Sequence, residues 1–458
     1  MSIVNNGLSG ALAAQAALSA SSQNIANVMT PGYTRQGVLL STVIARQTGT
    51  LSAGDGVQVP SLIRFSDGYK MQQKWLAASD LAQYGVAQPY LTQLEQVVGD
   101  ESSSINAGLD GFFGALNAAS VEPSSNPLRQ QVLTAADALA QRFNNLSQVL
   151  ANQRTSIAQQ RTSVVEQVNT VTADIADLNR RIALAQATGV NASGLIDARD
   201  ARIDDLAAMV SVRSVDQPDG SRSVSLIGGQ PLVVASSAAT LSVQGNPDGS
   251  HTLQIVYAKE SFTVTGSRLG GQLGGLEEFE SQVLQPLRQS ITDIAVALSD
   301  NVNATLAAGY ALDGTAGMPL FEADPTSTTG LLAVRAGLVA GDLAFSSDPA
   351  APGNSDSLMA LIALKEQPIP VSSLGSVAVG DANTQLVGKL AMHSQKNQSS
   401  LATAQTVRDQ AEESWKSTSG VNSDEEAVNL IQYQQMYQAN LKVIAVANEL
   451  FDSTLAMM

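Results

Sequence analysis

The chain has 458 residues and a formal net charge of −16, with no cysteine and only two histidines. That length predicts about three domains, and that charge excludes a nucleic-acid binder, which needs a basic footprint. Without cysteine there is neither a disulfide nor a thiolate metal site, and His251 and His393 are too few for a histidine metal centre or catalytic pair.

At the N-terminus Val4, Ala11, Leu18 and Ile25 repeat every seven residues, with Gly7, Ala14, Ser21 and Val28 three residues on. A seven-residue apolar repeat predicts a left-handed helix–helix seam. Its Gly, Ala and Ser lining lets a partner helix come close. Pro31-Gly32 ends this first helix, and residues 33–66 read as extended and turn-rich. No secretory signal is visible, and no run reaches the ~20 apolar residues that span a bilayer.

A second helix is expected from about Asp67 to Val97, with Met71, Trp75, Ala78 and Ala82 on one face. The clearest helix follows, with Asn126 as its cap, Pro127 at its first position and Gly189 as its stop. Phe143, Leu150, Ile157, Val164, Val171 and Leu178 hold one heptad row. A second row, Leu139, Leu146, Val168, Ile175 and Ile182, is interrupted by Gln153 and Arg161. About 60 residues at this rise predict a rod of roughly 90 Å, which needs helical partners. Residues 276–308, with Pro286 predicting a bend or late onset, and residues 382–416 are the candidates.

Residues 209–268 change to an alternating pattern and predict an antiparallel meander of about five short strands. Turns are expected at Asp216–Gly220 and Asn246–Gly249. The run Gly270-Gly271-Gln272-Leu273-Gly274-Gly275 lacks the Lys-Ser/Thr of a phosphate loop and reads as a flexible hinge or tight turn. Residues 309–352 read as the weakest-structured stretch, with a short hairpin around Leu331–Val334 and Asp342–Phe345.

The C-terminus repeats Leu430, Tyr437, Ile444, Phe451 and Met458, with Leu441 and Leu455 filling a second seam position and Ala447 falling between the rows. Ile444 is expected beside Ala11 and Ala14. Ser423 and Glu426 predict a capping box at the head of this helix. Adjacent carboxylates such as Asp204-Asp205, Glu277-Glu278 and Glu412-Glu413 diverge around a helix and suit solvation better than acid–base work. No catalytic, cofactor or metal constellation emerges, so the residues argue for a structural protein rather than an enzyme.

The expected architecture is mainly α: a long antiparallel helical bundle or coiled coil formed by both chain halves, with a small antiparallel β subdomain inserted. Residues 1–66 and 417–458 would form a terminal coiled-coil layer, 67–208 and 270–416 the long-helix bundle, and 209–269 the β subdomain. From these features alone, a polymerising subunit and a secreted helical-stalk adhesin or effector both remain open.

The ends also carry a resemblance. Gln23-Asn24-Ile25-Ala26-Asn27 with Thr30-Pro31-Gly32-Tyr33-Thr34-Arg35-Gln36, and Ser419–Glu426 with Gln434–Asn440, resemble the two terminal signatures of bacterial flagellar axial proteins. That family comprises the rod, hook and hook-associated subunits. Gly32–Gln36 and Ala447–Asp452 are similar to its hook-associated, junction-forming members more than to its hook or rod members. The resemblance implies Asn24, Asn27, Thr30, Pro31, Gly32 and Tyr33 as motif residues. It further implies a self-assembling ring joining hook to filament, contacts with hook protein and a second junction protein, and a cytoplasmic export chaperone at the C-terminus. It also implies export without a cleaved signal to the cell exterior, no cofactor, no nucleic-acid partner and no membrane span. Such members often carry an outer β-rich domain near residues 318–357. Here that domain is expected to be absent or reduced to the loop 309–352.

Overall fold

The structure, a computed structural model, describes residues 2–43, 54–100, 104–245, 251–264, 269–327 and 329–457. Its first segment holds helix α1 (Ser2–Ala26) and a hairpin of β1 (Gln36–Thr42) with β2 (Val57–Arg64). Four helices follow: α2 (Gly68–Gly99), α3 (Ile105–Val121), α4 (Asn126–Ala187) and α5 (Ser193–Met209). Strands β3 (Val212–Asp216), β4 (Arg222–Leu226), β5 (Pro231–Val234) and β6 (Ser237–Ala238) make one antiparallel sheet. A second sheet contains β7 (Thr240–Gly245), β8 (His251–Tyr257) and β9 (Glu260–Val264). The chain returns to helix in α6 (Gly271–Phe279), a π-helical turn at Glu280–Leu284, and α7 (Gln285–Ala307). Hairpin β10 (Phe321–Ala323) with β11 (Leu332–Val334), helix α8 (Asp356–Ala363) and hairpin β12 (Pro368–Val371) with β13 (Gly375–Ala378) lead into α9 (Val379–Ser419) and α10 (Ser423–Ala456).

The fold is mainly α with small antiparallel sheets, as the periodicities imply. Helix α4 runs for 62 residues and is the shared wall of two hydrophobic cores. From Leu139 to Ile157 its heptad rows enter the first core, with Phe112, Phe113, Leu298 and Phe345. From Val164 to Ile175 they enter the second, with Trp75, Ile203, Ile255 and Trp415. Between the two lies a polar layer. Buried Arg161 is bonded to buried Glu280, with Glu277 at 3.6 Å on the same guanidinium. Glu280 opens the π turn, so the extra residue per turn there re-aims the chain one position before Pro286. Gln153 donates to the Tyr90 carbonyl at 3.0 Å. The two polar interruptions of the heptad row are therefore partnered core residues.

Several expectations fail for local reasons. The cap of α4 is Ser125, not Asn126, which is already helical, and Pro127 sits one place further in. The cap of α10 is Asn422, whose side chain accepts from the amides of Asp424 and Glu425 at 3.0 and 3.4 Å. Ser423 is helical, and Glu426 is drawn off to Arg35, so no capping box forms. The single five-strand meander is instead seven strands in two sheets. The 216–220 turn is present, tightened by Asp219 accepting from the Ser221 amide at 3.0 Å. The 246–249 turn lies outside the described residues.

The glycine run is not a hinge. It starts α6 at once, and its glycines are there for contact: a Cβ on Gly275 would stand 2.1 Å from the Gln83 carbonyl oxygen. Residues 309–352 are not weakly structured either. Leu320, Phe321, Leu332, Leu343, Ala344 and Phe345 are buried in the first core. Arg129 holds this segment by donating to the Pro123 and Leu343 carbonyls at 2.6 Å each, with its guanidinium 4.6 Å from the Phe345 ring. The strand facing Leu332–Val334 is Phe321–Ala323, and residues 342–345 are not a strand. The sequence pattern points to neither α3 nor α5. Both are 17-residue elements in stretches rich in Gly, Asp or Arg, where an apolar stripe is short.

Candidate assembly surface at the joined chain ends

Helices α1 and α10 lie side by side and antiparallel. Gly7 meets Ile444 and Gly10 meets Asn440: a Cβ added to them would stand 2.9 Å from Ile444 Cγ1 and 2.3 Å from Asn440 Oδ1. Ala11, Ala14, Ala17 and Ser21 are buried along the same contact, and Val4 and Leu18 are half-buried. This register sets Ala14 at the level of Tyr437, so Ile444 faces Gly7 and not Ala11 or Ala14. The small residues let the backbones approach.

On α10 the covered face carries Glu426, Leu430, Tyr433, Tyr437, Asn440, Ile444 and Ala447. The second row is thus Tyr433, Asn440 and Ala447, rather than Leu441 and Leu455. Ala447 is the best-buried residue of the last two-thirds of α10, at 9 % exposure. A search for bulky apolar residues overlooks it, because tight packing against glycine selects small ones. Leu441, Phe451 and Leu455 are 44, 66 and 57 % exposed, and Ile25 is at the margin of exposure. Met458 lies outside the described residues.

Phe451 continues the covered row, Leu455 follows one turn on, and both are exposed. Among the described residues α1 begins at Ser2, level with about Glu449, so the last two turns of α10 extend beyond it. Val428, Ile431, Val446 and Leu450 of α10, and Ile3, Leu8 and Leu12 of α1, are further exposed apolar residues of the pair.

The motif after α1 is a bonded knot. Asn24 is 1 % exposed; its Nδ2 donates to the Gln36 carbonyl at 2.8 Å, and its Oδ1 accepts from Tyr33 Oη and the Gln36 amide at 2.9 Å each. Burial and the Asp197 carboxylate push the Tyr33 phenol above its ordinary pKa, which keeps it a donor. Asn27 Oδ1 accepts from Thr30 Oγ1 at 3.2 Å. Thr30-Pro31-Gly32-Tyr33 is a turn closed by the Tyr33 amide on the Thr30 carbonyl at 3.2 Å. Pro31 presets φ, and Gly32 takes φ of +76°.

Two arginines fasten this knot to distant parts of the chain. Arg35 pairs with Glu426 at 2.8 Å and Glu425 at 3.0 Å, and its amide donates to the Ser419 carbonyl at 2.8 Å. Its guanidinium also lies 5.1 Å from the Phe65 ring centroid. Arg64 bonds Thr34 at 2.9 Å, Asp200 at 3.0 Å and Asp197 through Nε at 2.8 Å, which ties the hairpin to α5. Asp200 also accepts from Arg222 at 2.9 Å. Burial works against the charge of Asp216, but the hydrogen bond and charge of Arg222 prevail and hold its carboxyl below the usual value. The roles of Arg35, Arg64, Asp197 and Asp200 escape sequence reading, because partners more than a hundred residues apart, and 390 in the case of Arg35 and Glu425, leave no local signal. A groove of about 910 Å³ runs beside the knot, between α1, the 30–33 turn, the hairpin and α5. Among the described residues no group of acidic or histidine side chains could hold a metal, and no helix is long and apolar enough to cross a membrane.

A paired-terminus layer with an uncovered apolar face, built on a long-helix bundle, is the setting for comparison with known proteins. Residues 91–321, half the chain, match the sequence model of the flagellar hook-associated protein FlgK helical domain. The chain belongs to the FlgK family. Residues 417–457, which include all of α10, also match the C-terminal module of the flagellar basal body rod FlgEFG proteins. Flagellar hook-associated protein 1 of Salmonella typhimurium is 26 % identical over 553 aligned residues, covering 99 % of both chains. That of Escherichia coli is 26 % identical with the same coverage, and that of Bacillus subtilis is 25 % identical over 97 % of this chain and 95 % of its own. Among solved structures, the flagellar hook junction protein FlgK from Burkholderia pseudomallei matches with a TM-score of 0.52 at 29 % identity, covering 55 % of this chain and 47 % of that one. The FlgK helical region thus begins within α2 and carries α3 through α7, the elements around α4.

Proposed function

We propose that this FlgK-family chain is a structural subunit of the bacterial flagellum that polymerises into the ring joining hook to filament. The observation that carries this reading is the α1–α10 layer, which holds together within one chain yet leaves its outer apolar side uncovered. In a ring that side is covered by neighbouring copies, while the helical bundle stiffens the joint. Val4, Ala11, Ala14, Leu18, Leu430, Tyr437 and Ile444 build the layer. Leu441, Phe451, Leu455 and Ile25 then serve contacts between subunits.

Hook protein on one side and a second junction protein on the other are the neighbours this reading requires. An export chaperone fits the exposed stripe of α10, which is an aggregation hazard before assembly. Passage to the cell exterior without a cleaved leader belongs to the same reading. The division into terminal layer, helical bundle and β subdomain, with the outer domain reduced, is part of the proposal. Electron microscopy of a strain lacking this chain tests it: hooks without filaments are expected, and normal filaments would overturn it.

A further inference from the structure

The chain carries an unfilled groove and an unpartnered knob at opposite ends of its terminal layer. The knob is the α10 overhang: Phe451 extends the row of Leu430, Tyr437 and Ile444, Leu455 follows one turn on, and both stand exposed beyond the first described residue of α1. The contact they continue is already an interface, and a continued row calls for a small-residue surface like the one α1 offers Ile444. The groove supplies such a surface. Its walls include Ala16 and Ala20 of α1, Ala198 and Ala201 of α5, and Leu62 of the hairpin. It lies on the side of α1 turned away from α10, near the residue 16–33 end, whereas the overhang projects past residue 2.

A knob at one end and a matching groove at the other cannot meet within one chain. Between copies they make a head-to-tail contact, which repeats from subunit to subunit. We propose that Phe451 and Leu455 of one copy seat in the α1–α5 groove of the next copy. This names the partner of the surface described above and rests on the reading of the chain as a polymerising subunit. Helix α1 has no charged residue, so Glu449 and Asp452 on the overhang meet no like charge along that wall. Asp197 in the groove is already neutralised by Arg64 at 2.8 Å.

The absence of cysteine makes the test clean. Ser19→Cys places a thiol on the groove and Thr454→Cys, three residues after Phe451 on the helix surface, places one beside the knob, both at exposed positions. Cells producing the two single variants together are mildly oxidised, and isolated junctions are analysed for covalent dimers. A dimer joining S19C to T454C is expected, with little of either like-with-like dimer. Adding Ala198→Trp to the S19C chain fills the groove from an exposed position and is expected to cut the mixed dimer at least tenfold. Junctions that assemble but give no mixed dimer would overturn the proposal. So would T454C linking equally well to a chain carrying Ser347→Cys, which lies outside the groove, as an export chaperone site or a lateral contact would allow. If the unmodified chain builds no junction at all, the function reading fails instead.

Discussion

Arg35 and Glu426 form an ion pair at 2.8 Å between residues that are distant in sequence, and the carboxylate side of it is almost fully buried. Through this pair the turn after α1 and the first turn of α10 hold each other. Removing one partner of a buried pair leaves an uncompensated charge. Arg35→Ala is expected to destabilise the terminal layer by about 3 kcal/mol, and Glu426→Gln by less, because an amide can still accept from Arg35. Amide exchange should rise across α1 and α10 and stay unchanged in α4. Uniform loss of protection would mean the layer is not a separate cooperative unit.

The register of α10 on α1 separates two substitutions of the same chemistry. Ala447→Asp puts a carboxylate into the covered seam and is expected to unpair α1 from α10 in the isolated chain. Leu441→Asp lies on the exposed flank. It is expected to leave the isolated chain intact while preventing junction assembly. Thermal melting of the monomer with electron microscopy of cells distinguishes them, and identical behaviour of the two variants would refute the register.

The layer between the two cores can be replaced as well as broken. Arg161→Met alone should cost roughly 3 kcal/mol, because buried Glu280 then loses its bonded cation and keeps only Arg154, at 3.6 Å. Arg161→Met with Glu280→Leu should recover most of that loss, since apolar residues of similar volume suit the flanking cores. Denaturant unfolding of the single and double variants measures the difference. A double variant no better than the single would show that the π turn itself needs the ion pair.

Arg129 is expected to behave differently. Burial lowers its pKa to about 10, which leaves it charged at neutral pH, and its hydrogen bonds go to backbone carbonyls. Arg129→Ala strands the Pro123 and Leu343 carbonyls and should cost about 3 kcal/mol. Proteolysis should then begin within residues 309–352, which Arg129 pins to α4.

Acid sensitivity should begin at the histidines. Burial, with Arg161 next in effect, depresses the pKa of His251; burial with Lys389 and Lys396 depresses that of His393. Glu280, at 4.0 Å from His251, opposes this only in part. A depressed base binds its proton more readily in the unfolded chain, so stability is lost as pH falls below the unfolded value near 6.5. Melting temperature should therefore drop between pH 7.5 and 5.5, and His251→Gln with His393→Gln should flatten that slope. An unchanged slope would assign the loss to carboxylates.

Periodicity carried the fold a long way. Heptad rows located α1, α4 and α10, and alternation located the sheet region, because each rests on a repeat within a few turns. What periodicity cannot convey is which non-adjacent groups satisfy one another. Gln153 and Arg161 looked like defects until Tyr90 and Glu280 stood opposite them. Residues 309–352 looked loose because a three-residue ladder and the bonds from Arg129 to their carbonyls hold them, not a repeat. At the chain ends, helix type and general facing were legible, and the register was not. Glycine and alanine set that register, and neither announces itself by bulk.

The antiparallel pairing of α1 with α10 also sets an order of events. Gly7 and Ile444 sit near opposite extremes of the sequence, so their contact closes a loop of almost the whole chain. Local contacts in α2–α5 and α6–α9 can form while that loop is still open, whereas the terminal layer must await α10. The paired surface is therefore the last part of the chain that can be completed, and it exists only once α10 is available to α1.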